Sequence, residues 1–170
     1  MIASKITDLI GNTPMLKLKM KNNDWNVFLK LEKFNPGGSM KDRMALNMIE
    51  EAEKSGQLKP GGTIIESSSG NTAIGLAIAS AIKGYHFIAV VDHHASKEKI
   101  DMIKAYGAEI VVVGDGYKAN EVAVIEREKT AKRMSEEMEN AFFPNQADNF
   151  NNRAAYIDTC LLYTSDAADD

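Results

Sequence analysis

Strand-like and helix-like segments alternate along most of this chain, and that alternation limits the folds open to it. Short β-branched and apolar runs of strand length occupy Val27–Leu31, Thr63–Glu66, Phe87–Val91 and Ile110–Val113. Segments with helical spacing occupy Met44–Lys54, Asn71–Lys83, Ser96–Tyr106 and Val122–Met138. From Thr63 onward this order predicts an α/β fold, a parallel sheet with helices on both faces in three α/β/α layers.

In an open parallel sheet, ligands bind beyond the carboxyl ends of the strands. Four loops follow predicted strands or lie at that edge, namely Ser67–Asn71, Asp92–Ala95, Gly114–Gly116 and Asn145–Asn149. We therefore expect a binding site among these loops.

Composition and charge exclude several other classes of protein. The 170 residues are 44% hydrophobic and 26% charged, as in soluble globular proteins, and the net charge of −4 comes without a basic stripe for nucleic acid. No apolar run is long enough to span a membrane, and the N-terminus lacks the pattern of a signal peptide. The single cysteine, Cys160, excludes an internal disulfide, so we expect a cytoplasmic protein. His86, His93 and His94 are spaced poorly for a metal site and are interpreted as loop residues.

The last residues, CLLYTSDAADD from Cys160 onward, differ from the rest of the chain. They contain no basic residue and three acids, Asp166, Asp169 and Asp170, and they resemble translated adapter sequence. We interpret 160–170 as a non-native tail; the alternative is a frayed polar terminus.

A loop with proline and two glycines, N-P-G-G-S-M-K-D-R (Asn35–Arg43), opens the first long helix. Ser39 and Asp42 have nearly the spacing of a capping box, which on its own would explain the segment. Lys41, however, falls in the first helical turn, where the helix dipole opposes a cation. An amine at that position also suits covalent catalysis on a carbonyl group. Both interpretations remain open on spacing alone.

A second polar loop, S-S-S-G-N-T (Ser67–Thr72), lies between a strand and an alanine-rich helix. Free N–H groups at that helix start, together with the hydroxyl groups, could bind a carboxylate or phosphate. The alternative is a helix cap without a ligand. Neither a Walker motif nor Gly-x-Gly-x-x-Gly is present, which argues against a nucleotide site.

Three motifs in register resemble those of the cysteine synthase and cystathionine β-synthase family. They are I-G-N-T-P (Ile10–Pro14), N-P-G-G-S-M-K-D-R and E-S-S-S-G-N-T-A (Glu66–Ala73), followed by K-A-Y-G-A-E-I-V (Lys104–Val111) and N-Q-A-D-N (Asn145–Asn149). The resemblance implies a pyridoxal-phosphate enzyme of the tryptophan-synthase-β fold, fold type II. It implies β-replacement on an activated serine, O-acetylserine or O-phosphoserine, to give cysteine or another β-substituted alanine.

By this resemblance each site residue has an expected role. Lys41 is the residue that binds the cofactor covalently and then acts as a base, and Asn71 contacts the cofactor ring. Ser68, Ser69, Thr72 and Gln146 bind the carboxylate of the amino-acid substrate. The family also implies a homodimer, with no membrane or nucleic-acid partner.

The chain departs from the family pattern in ways that leave its exact reaction open. Family members are about twice as long, so the resemblance implies an N-terminal half, inactive by itself. Residues 1–40 would belong partly to the incomplete large domain, and 41–159 would form the α/β domain that carries Lys41. Ser67-Ser68 replaces Pro-Thr, and Asp92 replaces a proline. V-V-D and S-M-K-D-R are closer to the branch that makes a diaminopropionate precursor. Cystathionine synthesis and a non-catalytic anion-binding domain stay open as well.

Overall fold

The computed structural model describes residues 2–21, 25–114, 123–157 and 159. A 3-10 helix at Ile6–Leu9 precedes an antiparallel hairpin, which is formed by β1 (Met15–Leu18) and β2 (Val27–Lys30). Strand β2 confirms the strand predicted at Val27–Leu31, whereas β1 was not predicted. Its four residues include a lysine, so its hydrophobic pattern is too short to be distinguished from a loop.

The main sheet contains four parallel strands in the order β5–β4–β3–β6. They are β3 (Thr63–Ser67), β4 (His86–Asp92), β5 (Glu109–Val113) and β6 (Ala141–Phe142). The parallel pairing confirms the predicted fold class. The chain moves outward from β3 to β5 and then returns to add β6 on the other side of β3. The order of the strands therefore reverses at β3, the place where α/β sheets form a crevice.

Among the described residues, five α-helices connect or flank these strands: α1 (Lys41–Ser55), α2 (Asn71–Lys83), α3 (Lys97–Ala105), α4 (Val124–Glu137) and α5 (Phe150–Ala154). The first four confirm the predicted helices, although α1 begins at Lys41 rather than Met44. Gly84 follows α2 with a left-handed φ of 78°, as expected for a glycine at a helix end. The predicted start of α4 at Val122, the Gly114–Gly116 loop beyond Gly114 and the tail from Cys160 lie outside the described residues.

Buried apolar side chains form one cluster on each face of the sheet. On one face, helices α1, α2 and α3 pack against Ile64, Ala89 and their neighbours. On the other, Ile65 and Val90 contact Ala131 of α4. Adjacent strand residues point to opposite faces, so Ile64 and Ile65 separate the two clusters. This arrangement confirms the three layers.

No helix in the described part of the chain is both long and apolar enough to cross a membrane.

Candidate functional site

Lys41 is the first residue of α1, directly after the glycine-containing loop. Gly38 has a left-handed φ of 76°, and a Cβ on Gly37 would overlap the Asp42 carboxylate. That carboxylate accepts the Gly37 N–H at 2.5 Å, and Ser39 Oγ accepts the Lys41 N–H at 3.1 Å. The predicted capping box is therefore wrong: the loop folds back over the helix start, so Asp42 reaches Gly37 rather than Ser39.

An ion pair fixes the residues around this loop. Arg43 donates to both oxygens of Glu32, from Nε to Oε2 at 2.8 Å and from Nη2 to Oε1 at 2.9 Å. Thr13 and the Asn35 amide donate to the same carboxylate at 2.6 and 2.8 Å. The Arg43 hydrogen bond is the largest cause that lowers the pKa of Glu32 to about 2, with further lowering by Thr13 and Asn35.

The Ile10–Pro14 motif belongs to the same network. Gly11 donates its N–H to Asn35 Oδ1 at 2.8 Å, and a Cβ on Gly11 would lie 3.1 Å from an Arg43 nitrogen. Gly11 also has a left-handed φ of 91°. The first motif therefore packs against the second and supports the loop before Lys41.

The second and third motifs meet where α1 crosses α2. A Cβ on Gly75 would lie 3.0 Å from the Ala45 Cβ and 3.1 Å from the Lys41 carbonyl oxygen. These distances are shorter than comfortable van der Waals contact, so glycine allows the two backbones to approach at this point. The close crossing brings the start of α1 beside the Ser67–Asn71 loop.

A cleft of about 290 Å³ lies at the carboxyl ends of β3 and β6, where the strand order reverses. Its walls are formed by Lys41, Glu66, Ser67, Glu128, Asn145, Gln146, Ala147 and Asn152. The structure thus brings together Lys41 and Gln146, which are far apart in the chain. Among the residues that the structure describes, none accepts a hydrogen bond from the Lys41 amine.

Thr72 connects the helix start to Gln146. Its buried hydroxyl donates to Gln146 Oε1 at 2.5 Å. The Asn152 side chain donates to the Gln146 carbonyl oxygen at 2.7 Å. Two predicted substrate residues are therefore in direct contact, Thr72 in the first turn of α2 and Gln146 in the loop after β6.

The remaining predicted residues lie around the start of α2. The helix is preceded by Gly70, and no side chain caps it. Ser68 is buried, and its hydroxyl accepts the Gly70 N–H at 3.2 Å. Ser69 is half-buried and Asn71 exposed, and neither lines the cleft. The first-turn N–H groups of α2 have no acceptor within the helix, as at any helix start, and the roles of these residues stay predictions.

Glu66 is a buried acid of the cleft wall to which the sequence analysis gave no role. Its buried carboxylate accepts N–H groups from Ser67 at 2.8 Å and from Gln146 at 3.1 Å. Burial raises the pKa of Glu66 to about 7, an effect that these two donors oppose and the nearby Glu128 carboxylate reinforces. The sequence did carry a signal for such a role, because Glu66 is an acid at the end of the strand-like run Thr63–Glu66. A buried acid must have polar partners.

The histidines lie away from this cleft. His86 contacts Glu109 at 3.3 Å, and the rings of His93 and His94 lie 4.2 Å apart after β4. No group of three possible metal ligands occurs in the described ranges. Asp92, the residue that replaces the family proline, is buried and pairs with Arg127 at 3.3 Å.

Comparison with known proteins identifies the family. The family model described as pyridoxal-phosphate dependent enzyme matches residues 6–166. The chain belongs to this family. A cysteine synthase from Staphylococcus aureus is 47% identical over 85% of the chain and 45% of its own length.

Two solved structures extend this family assignment to the fold. A hydrogen sulfide-producing enzyme from Fusobacterium nucleatum aligns with a TM-score of 0.80 at 39% identity, covering 92% of this chain and 50% of its own. An O-acetylserine-dependent cystathionine β-synthase from Helicobacter pylori also gives 0.80, at 33% identity, covering 92% of this chain and 51% of its own. The resemblance to the cysteine synthases is confirmed, and the chain spans about half the length of these relatives.

As a member of the pyridoxal-phosphate-dependent family, the chain carries residues that suit the cofactor. Covalent attachment of an aldehyde requires an amine that is not engaged by another group. Lys41 lines the cleft, and no described residue accepts a hydrogen bond from its amine. Amide and hydroxyl groups surround the start of α2 beside it, where they can contact polar atoms of a ring or a carboxylate.

Proposed function

We propose that this chain is the N-terminal half of an enzyme that uses pyridoxal phosphate for β-replacement on an activated serine. The observation that carries the proposal is that Lys41 and Gln146 line the same cleft. Thr72 is hydrogen-bonded to Gln146 and so lies next to this cleft. An amine for the cofactor and polar groups for an amino acid are thus adjacent. The relatives support the same reaction class, since one is named a cysteine synthase and another depends on O-acetylserine.

Each residue has a role in this proposal. Bound pyridoxal phosphate supplies an electron sink that stabilises negative charge at the α carbon of an amino acid. The Lys41 amine would hold the cofactor and later take the proton from that α carbon. Asn71 would contact the cofactor ring from the first turn of α2.

The carboxylate of the substrate would bind at the start of α2. Helix-start N–H groups and hydroxyl donors favour an anion there. Ser68, Ser69 and Thr72 supply the hydroxyl groups in this proposal. Gln146 supplies its amide from the loop after β6.

The net reaction balances as a substitution at the β carbon. The leaving group, acetate or phosphate, departs with the electron pair of its C–O bond, and a nucleophile forms the new bond to the same carbon. Sulfide as nucleophile gives cysteine, and another thiol or an amine gives a different β-substituted alanine. The proton of the nucleophile balances the charge of the leaving group.

Covalent trapping tests the role of Lys41. Full-length protein carrying this sequence would be loaded with pyridoxal phosphate, reduced with borohydride, digested and mapped by mass spectrometry. We expect the adduct on Lys41 and its loss in Lys41→Ala. Lys33→Ala is the matched control, because Lys33 is an exposed lysine in the same region that does not line the cleft. An adduct on Lys30 or Lys33 in the unaltered protein would contradict the proposal.

A further inference from the structure

The Glu66 carboxylate lies where the pairing between β3 and β6 ends. The two strands pair only at Thr63–Ala141 and Ile64–Phe142. Beyond these two residue pairs, backbone hydrogen bonds no longer join the strands. The segments that carry Ser68 and Gln146, two of the predicted substrate residues, follow the ends of β3 and β6. Glu66 is two residues further along β3 and only 2% exposed.

Its side chain connects the two diverging segments. One oxygen accepts the N–H of Ser67, the last residue of β3, and the other accepts the N–H of Gln146, after β6. Ser67 is the next residue in the chain, whereas Gln146 is 80 residues from Glu66. We call this pair of hydrogen bonds the Glu66 bridge.

The bridge is one of three hydrogen-bond contacts that hold Gln146 in place. Its N–H is held by Glu66, its carbonyl oxygen by Asn152 and its side chain by Thr72. Glu66 is the acidic member of this set, and in its ionised form both oxygens accept N–H groups, as they do here. A hydrogen bond to an ionised group is the stronger kind. Loss of the Glu66 contact would therefore free the Gln146 backbone more than loss of a neutral partner.

We propose that Glu66 is a positioning residue that fixes the Asn145–Asn149 loop against the Ser67–Asn71 loop, and so sets where Gln146 meets the substrate. The inference rests on the proposed function for the identity of the ligand, an amino-acid carboxylate. Burial of a carboxylate is costly, and here both oxygens accept backbone N–H groups, one at the end of β3 and one after β6. Of the charged groups on the cleft wall, Lys41 comes from α1 and Glu128 from α4.

The test compares Glu66→Gln with Glu128→Gln in the full-length holoenzyme. Glutamine has the shape of glutamate, but its amide offers one acceptor and points an N–H₂ group at the other backbone donor. Glu128 is a matched control, since it is an acid on the same cleft wall outside the bridge. Loop order is measured by hydrogen exchange of peptides covering 143–149, and substrate binding by the KM for the activated serine.

We expect Glu66→Gln to speed exchange in 143–149 and to raise the KM by about tenfold, the effect of losing one hydrogen bond to a charged group. The kcat and the borohydride adduct on Lys41 should change less than about threefold. Glu128→Gln should not speed exchange, because loss of its charge favours the ionised form of Glu66. Glu66→Asp, which keeps the charge but shortens the reach, should fall between the two.

Three results would overturn the inference. They are unchanged exchange in Glu66→Gln, an equal effect of Glu128→Gln, or a fall in kcat at constant KM, which would place Glu66 in the chemical step. Failure of the proposed function looks different. In that case the unaltered protein shows no adduct on Lys41, whereas the exchange measurement still decides whether Glu66 holds the loops together.

Discussion

Two acids of this protein, Glu32 and Glu66, show how local surroundings set the charge of a side chain. Arg43 lies against both oxygens of Glu32, and its hydrogen bonds lower the pKa to about 2. Glu66 is buried without a cation in hydrogen-bond contact in the described chain, and its pKa rises to about 7. Ionised Glu32 therefore stabilises the fold, whereas ionisation of Glu66 has a cost that its two backbone donors reduce.

Removal of the Glu32 charge should weaken the fold at neutral pH. The pKa falls from its ordinary value of 4.5 to about 2 on folding, so the stabilisation is present above pH 4.5 and is lost as the pH falls to about 2. We expect Glu32→Gln to lower the free energy of unfolding at pH 7 by about 1–3 kcal/mol, the cost of a hydrogen bond to a charged group. Urea unfolding between pH 2 and pH 7 measures the effect, and the difference from the unaltered chain should shrink towards pH 2.

The matched control for this change is Glu51→Gln. Glu51 pairs with Lys54 at 2.6 Å, but both side chains are well exposed, so the pair contributes little. Equal losses of unfolding free energy in the two variants at pH 7 would show that the Glu32 network stabilises the fold no more than an exposed ion pair does.

The crossing of α1 and α2 is the contact between elements on which the site depends most. Gly75 lies in the first turns of α2, and its missing side chain leaves room for the backbone of α1 beside Lys41. In an isolated helix alanine would be more stable than glycine by about 1 kcal/mol. The contact between the helices reverses that preference, because a Cβ there is too close to Ala45 and to the Lys41 carbonyl.

Gly75→Ala should therefore move the start of α1 away from α2. Crowding of about 1–3 kcal/mol would offset the gain in helix propensity, so we expect unfolding free energy to change little or to fall. We expect the borohydride adduct on Lys41 to decrease severalfold, since the amine leaves its place at the cleft.

Ser80→Ala is the control in the same helix. The Ser80 hydroxyl is buried without a hydrogen-bond partner among the described residues, so its removal should leave the adduct unchanged and stabilise the fold slightly. Normal labelling of Gly75→Ala, at the level of Ser80→Ala, would show that the close crossing does not position Lys41.

Across the whole molecule, the N-terminal segment, residues 1–40, exposes many large apolar side chains. Trp25 is 74% exposed and Phe28 51%, and Leu16, Leu29 and Phe34 are also exposed. A two-stranded hairpin is marginally stable by itself, and exposed apolar patches usually mark a contact surface. We propose that residues 1–40 belong partly to a larger domain, and that 41–159 form the α/β domain that carries Lys41.

The 170-residue chain alone should self-associate and should not catalyse β-replacement. We expect association because the hairpin exposes apolar side chains. We expect no catalysis because the chain spans about half the length of its relatives. Light scattering measures association, and turnover of O-acetylserine or O-phosphoserine with added pyridoxal phosphate measures activity. Phe28→Ser should reduce association more than Ile125→Ser, a change at a 67% exposed residue of α4. A monomer that turns over faster than free cofactor would contradict the prediction.

Local sequence patterns were enough to predict the α/β class, helices α1 to α4 and strands β2 to β5. These features follow from local patterns, such as the β-branched run of Thr63–Glu66 and the helical spacing of Asn71–Lys83. The family also followed from the sequence, because three motifs in register are far more specific than any one of them. The roles that the motifs imply for the site residues all stay predictions: Lys41, Ser68, Ser69, Asn71, Thr72 and Gln146.

The tertiary structure decided what depends on contacts between distant parts of the chain. The two residues of β6 are a strand only because β3 offers them backbone partners, and Gly75 matters only because α1 crosses it. The bonds of Glu66 and of Thr72 to Gln146 likewise join segments more than 70 residues apart. Periodicity and propensity report the neighbours of a residue along the chain, whereas these contacts are set by how the sheet and helices pack.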